Sequence, residues 1–331
     1  MTIRTGVIGV GHLGRQHARI HAALSAKGQT ELTIICDIAE ETARRVASVS
    51  NTGWSLDWHD VIGRCDAVSL AVPTEAHASI ACPLLEAGIH VLVEKPIARS
   101  LEEADSMIAA AKAGGALLQV GHLERFNPAL VALRPHVKAP LYFEIHRVGE
   151  FTARSLDIDV VLDLMIHDLD IVQWLVGEDV AVTDLRAVGI PVLTSKVDAA
   201  NARLEFASGA VANITASRIG TEKIRKMRFF QPHDYVAVDY ATHYASISSL
   251  VPADPATGHP GVRVNRLEVA DVEPLRAEIE AFINAARDGA PSPVSGEDGR
   301  RALALALRAL ERIHQHAAHP GVSGISQAIN K

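Results

Sequence analysis

Three stretches of this chain carry residue types that move protons or hold anions. The first is Gly9-Val10-Gly11-His12-Leu13-Gly14, a G-x-G-x-x-G pattern that follows an apolar run and precedes an alanine-rich one. Glycines at these positions allow a tight turn, close approach of the backbone to a pyrophosphate and close helix–strand packing, and the following helix start points its N–H groups at the phosphates. The second is Glu94-Lys95-Pro96, behind the apolar run His90–Val93. A lysine at the carboxyl end of a strand can hold and polarise a hydroxyl; it can equally be a solvated strand-end residue. The third is DVVLDLMIHDLDIVQWLVG, residues 159–177, apolar nearly all round and so read as a buried helix. Within it Asp159, Asp163, His167 and Asp170 recur at steps of four, four and three, which places them on one face.

Buried carboxylates are costly unless paired or facing a wet cavity, so this stripe predicts a pocket wall. His167 suits the role of general base, because an unperturbed imidazole titrates near ~6.5. Asp163, one turn earlier, can orient or support it. Two other readings stay open: Asp163 and His167 as ligands of a metal, for which no third ligand has supporting spacing, and His167 as a core histidine satisfied by its neighbours.

The elements that would position these groups follow from periodicity. Thr5–Ile8, Leu32–Cys36, Ala67–Ala71, His90–Val93 and Leu117–Val120 read as strands, and Leu13–Ala26, Glu40–Ser48, Ala76–Ala87 and Leu101–Ala113 as helices. Such alternation predicts βαβ units and a doubly wound parallel sheet of the Rossmann kind. Ser100 before Leu101-Glu102-Glu103 is an expected N-cap, and Gly88 and Gly114-Gly115 are expected C-caps. Asp37 ends the second strand, where an acid accepts hydrogen bonds from a ribose 2′-hydroxyl and repels a 2′-phosphate; NAD is therefore expected over NADP. Arg44 and Arg45 lie too far along the next helix to reverse this.

After about residue 121 the texture changes. Leu141–Val148, Val180–Val188, Ala199–Phe206, Ala210–Ala216, Met227–Tyr240 and Val262–Val269 read as strands, interrupted by the helix Val160–Val176. This predicts an α+β domain with an open, mostly antiparallel sheet. Pro252–Gly261 reads as a loop, and Pro274–Asp288 and Glu297–Ala317 as closing helices. The expected domains are 1–121 and 122–331, with the closing helices free to pack back on the first.

Composition bounds the remaining classes. At 331 residues and 48% hydrophobic, the chain can bury a large core without covalent staples. A net charge of −7 argues against nucleic acid as a partner. Three cysteines, Cys36, Cys65 and Cys82, form no C-x-x-C pair, which favours free thiols in a reducing compartment. The amino-terminal residues form no leader pattern, and no run is long and apolar enough for a membrane span, so the cytoplasm is the expected location.

Together GVGHLG (9–14), AVPTEAH (71–77), EKP (94–96), GHLERFNP (121–128) and the D-x-x-x-H of Asp163 and His167 resemble the Gfo/Idh/MocA oxidoreductase family, along essentially the whole chain. The resemblance implies a Rossmann domain followed by an α/β domain with an open mixed sheet, and homo-oligomers (dimer or tetramer). It implies hydride transfer between a nicotinamide cofactor and a secondary alcohol of a sugar or cyclitol. It places Lys95, Asp163 and His167 in the catalytic group. Gly9, Gly11, His12, Leu13, Gly14, Asp37, Pro73, Thr74, His77, Glu94 and Lys95 are the expected NAD contacts. Where the family often has a glycine-rich approach to the histidine helix, this chain has SLDIDVVLDLM, a departure that points away from the commonest sugar dehydrogenases.

Within the family, GHLERFNPA (121–129), RSLDIDVVLDLMIHDLDI (154–171) and TASRIGTEKIRKMRFFQ (215–231) are similar to bacterial enzymes that oxidise the 3-hydroxyl of UDP-N-acetylglucosamine. The keto product of that group goes to an aminotransferase, toward a 2,3-diamino sugar of lipid A. A UDP-sugar carries a diphosphate, and Arg218, Lys223, Arg225, Lys226 and Arg228 form a basic run that could clamp it or be a solvated sheet face. The expected substrate contacts are Lys95, His122, Arg125, Asn127, Arg154, Asp163, His167 and Arg218; Arg125 and Asn127 could instead fix the chain crossover. His17 and His21 read as ordinary helix-surface residues. A dehydrogenase of a free sugar or cyclitol, and a non-catalytic cofactor-binding regulator on the same scaffold, are the competing readings. The catalytic reading requires one imidazole and one ammonium to serve the same alcohol.

Overall fold

Short Val-, Ile- and Leu-rich runs form strands in the first third of the chain, and the alanine-rich stretches between them form helices. The structure is a computed structural model that describes residues 2–150, 158–253 and 260–319. Its first elements are β1 (Ile3–Ile8), α1 (Gly14–Ala26), β2 (Thr30–Cys36), α2 (Glu40–Ser50), β3 (Gly53–Ser55), β4 (Ala67–Leu70), α3 (His77–Glu86), β5 (His90–Glu94), α4 (Leu101–Gly114) and β6 (Leu118–Gly121). The strands pair in parallel in the order β3-β2-β1-β4-β5-β6. Helices cover such sheets on both faces, which is why β4 and β6 are buried along their whole length. Chain order reverses between β1 and β4, and ligands of open α/β sheets bind beyond the carboxyl ends of the strands at that switch point. Ser100 caps α4 by accepting the Glu103 amide at 3.2 Å, and Gly115 ends it in the left-handed conformation.

The chain continues through α5 (Pro128–Leu133), β7 (Tyr142–Glu150), α6 (Ile166–Val176), β8 (Val182–Ile190), β9 (Ala199–Phe206), β10 (Val211–Gly220), β11 (Ile224–Gln231), β12 (Asp234–Asp239), β13 (Tyr244–Ala253) and β14 (Pro260–Arg266). It closes with α7 (Pro274–Asp288) and α8 (Gly296–Ala317). The eight strands form one sheet in the order β14-β13-β12-β11-β7-β10-β9-β8, in which only the β7–β10 pair is parallel. Phe143, Ile145, Met227, Phe229, Val236 and Ile214 fill its covered face.

Several expectations are corrected. The run Met227–Tyr240 is a hairpin, not one strand: β11 and β12 meet at a turn in which His233 has a φ of 67°. Strand β13 was not expected, because YASISSLVPA is rich in serine and alanine. Of the loop expected at Pro252–Gly261, residues 254–259 lie outside the described residues, and its two ends belong to β13 and β14. His17 and His21 are buried in α1, not on its surface.

The chain divides into two units, Met1–Leu123 with Glu273–Leu303, and Glu124–Val272 with Ala304–Lys331. The division falls two residues beyond the one read from the sequence, and α7 belongs to the first unit. Leu275, Ile279, Phe282 and Ile283 of α7 form one apolar cluster with Ile3, Ile20, Leu24, Ala67 and Leu92. All three cysteines are free. Burial pushes the Cys36 thiol up to about 12 and Cys65 up to about 11, so neither is poised as a nucleophile. Among the described residues no helix is long and apolar enough to cross a membrane.

Candidate active site

In the first unit the glycine loop joins β1 to α1. Gly9 has a φ of +79°, and a Cβ there would also lie 2.8 Å from the Ala71 carbonyl oxygen. A Cβ on Gly14 would sit on the Gly9 carbonyl, whereas Gly11 faces open space. The loop is thus tight at its ends and bare at its middle, which leaves its backbone open to a ligand.

The Asp37 carboxylate fixes this geometry. One oxygen accepts the Val10 amide at 2.8 Å and the other the Ala39 amide at 2.8 Å. A cavity of about 430 Å³ opens here, lined by Gly9, Gly11, Asp37, Ile38, Pro73 and Ile80 among others. Apolar walls, bare loop backbone and one carboxylate at the end of β2 are the donor and acceptor set that an adenine dinucleotide requires, so the residues fit NAD. Of the other expected contacts, His12 and Leu13 are exposed on the loop, and Arg15 bonds the His12 ring at 3.0 Å.

His77, an expected cofactor contact, opens α3. It is buried, with Nδ1 3.1 Å and 3.2 Å from the carbonyl oxygens of Pro96 and Ile97, and Nε2 3.0 Å from that of Val72. It ties the segment after β4, which includes Pro73 and Thr74, to the segment after β5. Burial lowers its pKa, and the carbonyl oxygens oppose that without reversing it.

Glu94 ends β5 and is buried, and Lys95 is half-buried beside it. The Glu94 carboxylate accepts the Lys95 amide at 3.2 Å and lies 2.9 Å from His17 Nε2. His122, just past β6, is also buried.

In the second unit the helix of residues 160–176 opens with a π-turn, Val161–Met165, before α6. Such turns carry one extra residue and often mark functional positions. Asp163 lies inside it and His167 just after it, both half-buried. Asp159 stands ahead of the helix, where its carboxylate accepts the Val197 amide at 2.8 Å.

Asp170 does not line a pocket wall as the stripe predicted. It is buried in a fork with Arg125, at 2.9 Å to Nε and 2.7 Å to Nη2. Asp168, beside His167, is also fully buried, and forms a second fork with Arg147 at 2.8 Å and 2.8 Å. Arg147 also reaches Glu124 at 2.8 Å and lies over the Tyr240 ring. Burial works against the Arg147 charge, but Asp168 and Glu124 outweigh it and hold the guanidinium well above its ordinary pKa. Burial raises the Asp168 carboxyl even so.

Arg125 and Asn127 are engaged inside the unit. Arg125 bonds Asp170 and Glu178, while Asn127 caps α5 and donates to Glu124 and to the Tyr240 carbonyl. That is the geometry of a fixed crossover. Arg218 is buried, paired with Asp198 and donating to the Ile158 and Val197 carbonyls, so it braces the approach to the helix. Arg154 lies outside the described residues.

The basic run does not converge. Strand alternation puts Arg225 on the side of Met227 and Phe229, and Lys226 and Arg228 on the other, where they pair with Asp239 and Glu144. Among the described residues no group of three metal-ligating side chains forms.

Sequence reading missed Arg147 and Glu278. The signal was present: Arg147 shares a strand face with Phe143 and Ile145, and Glu278 a helix face with Leu275 and Phe282. A charge on an apolar face needs a partner or a changed protonation state.

A sequence profile of the Gfo/Idh/MocA group, described as an oxidoreductase family with an NAD-binding Rossmann fold, matches residues 3–122, and the profile of its C-terminal domain matches residues 133–230. The chain is 41% identical over 307 residues to the UDP-N-acetylglucosamine 3-dehydrogenase of Acidithiobacillus ferrooxidans, covering 92% of this chain and 96% of that protein. A solved structure of the A. ferrooxidans enzyme superposes with a TM-score of 0.90 at 39% identity, over 96% of this chain and 100% of that one. Levoglucosan dehydrogenase, solved with NADH and levoglucosan, shares the fold at a TM-score of 0.84 and 19% identity, over 95% of this chain and 98% of that one.

Proposed function

The chain belongs to the Gfo/Idh/MocA family of NAD-binding oxidoreductases, and from that premise we propose that it oxidises the 3-hydroxyl of UDP-N-acetylglucosamine to the 3-keto sugar. The observation that carries this reading is the 41% identity, across nearly the full length of both proteins, to an enzyme of that activity.

In this reading the Gly9–Gly14 loop and Asp37 hold NAD. When bound, NAD supplies a two-electron hydride acceptor. His167 accepts the hydroxyl proton, with Asp163 supporting the imidazolium that forms. Lys95 donates a hydrogen bond to the same oxygen and favours the negative charge that develops on it. The alcohol carbon thus loses a hydride and its oxygen a proton, which leaves the ketone. A 3-keto sugar is the substrate an aminotransferase needs, so the product feeds a 2,3-diamino sugar such as that of lipid A. The protein works in the cytoplasm as a homo-oligomer, and light scattering on the purified protein tests the second point.

The deciding experiment offers a panel of UDP-sugars and free sugars with NAD and follows reduced-nicotinamide absorbance. An aminotransferase with its amine donor is included to draw off an unfavourable ketone. Turnover confined to UDP-N-acetylglucosamine supports the reading, and turnover of free sugars alone overturns it. UDP alone should also raise the melting temperature, because a ligand of the native state stabilises it by mass action.

A further inference from the structure

The Glu94 carboxylate is enclosed by four elements of the first unit. His17 of α1 approaches one oxygen at 2.9 Å, and the Lys95 amide donates to the other at 3.2 Å. Across the ladder Glu94 pairs with Gly121 of β6, where a Cβ would stand 3.1 Å from the second oxygen; the glycine leaves the carboxylate its seat. From α7, Glu278 is fully buried and close enough to interact electrostatically with Glu94. Neither Glu278 oxygen has a hydrogen-bond partner among the described residues. Burial, with Glu94 adding to it, raises the Glu278 carboxyl well above the usual range, which favours its protonated form.

Among the described residues, His17 Nδ1 is buried without a hydrogen-bond partner. A carboxylate oxygen only accepts, so His17 Nε2 is the donor to Glu94. His21, one turn further along α1, is neutral and bonds Ser69 at 2.9 Å, and His77 lies near enough to Glu94 to interact with it. The group is therefore directional: His17 Nε2 on one carboxylate oxygen, and one backbone amide on the other.

That amide belongs to Lys95. A lysine has a long flexible stem, and the reach of its ammonium depends on how firmly its backbone is held. We propose that His17 is a positioning residue for Lys95: its imidazole fixes the Glu94 carboxylate, and the carboxylate fixes the Lys95 backbone. This rests on the reading of Lys95 as the group that binds the reacting hydroxyl.

A double-mutant cycle tests it, with UDP-N-acetylglucosamine and NAD as substrates. His17→Leu should lower kcat by about 10- to 100-fold with the KM for NAD within about twofold. His17→Gln, which keeps an N–H at similar reach, should restore kcat to within about threefold of wild type. In a Lys95→Ala background His17→Leu should cost less than about twofold more, because its effect passes through Lys95. Unchanged kcat in His17→Leu, or an additive loss in the double variant, overturns the proposal.

Competitive acetylation of the free protein, read by mass spectrometry, gives a measure independent of turnover. Lys95 reactivity should change by about threefold or more in His17→Leu relative to Lys112 and Lys138, since a freed stem samples new surroundings. Equal reactivity overturns the proposal. Wild-type turnover in Lys95→Ala would instead sink the catalytic role of Lys95, and the acetylation result would still decide what His17 does. If His17→Leu does not fold, Gly121→Ala displaces the same carboxylate and carries both measurements.

Discussion

Arg147 on β7 holds Asp168 in a two-pronged ion pair, with both contacts at 2.8 Å, and Asp168 is the residue next to His167 in α6. The sheet therefore grips the helix one residue away from the proposed base. A second fork, Arg125 with Asp170, grips it two residues further along. Flanked in this way, His167 has little freedom to turn about the helix axis.

Breaking the first fork from one side should be severe. Arg147→Met leaves Asp168 and Glu124 buried without their cation, a situation that typically costs about 3–5 kcal/mol. Urea unfolding should show a lower midpoint. The double variant Arg147→Met with Asp168→Leu should recover part of the loss, because no uncompensated charge remains at Asp168.

The proposed acid–base groups should separate chemistry from binding. His167→Ala and Lys95→Ala are each expected to lower kcat by about 10²–10⁴-fold while leaving the Kd for NAD within about threefold. Stopped-flow absorbance and NADH fluorescence titration provide the two readings. Unchanged turnover in either variant removes that residue from the mechanism.

Asp37 should set both cofactor affinity and cofactor choice. Asp37→Ala removes a carboxylate that anchors the Val10 amide, and loss of a charged hydrogen-bonding group of this kind weakens binding by about 10- to 100-fold. The ratio of NADPH to NADH affinity should rise, since the charge that repels a 2′-phosphate has gone. Titration with both reduced cofactors checks each expectation.

Acid sensitivity should trace to α1. Burial lowers the His21 pKa to about 3 from its ordinary 6.5. The unfolded chain then takes up the proton first as pH falls. The stability this residue contributes is complete above about pH 6.5 and declines toward pH 3, by on the order of 1 kcal/mol per pH unit. His77, lowered in the same direction, adds a slope of its own. In His21→Gln, urea midpoints at pH 7.5 and pH 5 should differ less than in wild type. An identical pH dependence would mean that His21 titrates normally in the folded protein.

Much of the first unit was legible because its strands and helices differ in period and its glycine loop has a single geometric purpose. The second unit was less so. The hairpin at His233 lacks the glycine and asparagine that announce such turns, so β11 and β12 merged into one run. The polar stripe on the histidine helix was visible, but its meaning was mixed: Asp163 and His167 are half-buried, while Asp170 faces inward to Arg125, 45 residues away. No local pattern reveals a partner at that separation. His17 and His21 were misread because polar residues normally face water. Their spacing with Leu24, at 17, 21 and 24, is that of a core face, and it was the better guide.

The first unit is made from two distant pieces of chain, and α7 carries four residues of its apolar cluster. When the ribosome has completed residue 123, the sheet has all six of its strands but lacks that helix, and about 150 further residues must be synthesised before it arrives, roughly 8–30 s at about 5–20 residues per second. During that interval Ile3, Ile20, Leu24, Ala67 and Leu92 lack the four α7 residues that complete their cluster. A nascent chain with such a gap is a client for a folding chaperone, and a gene fragment ending at residue 123 should yield inclusion bodies, not a soluble nucleotide-binding domain.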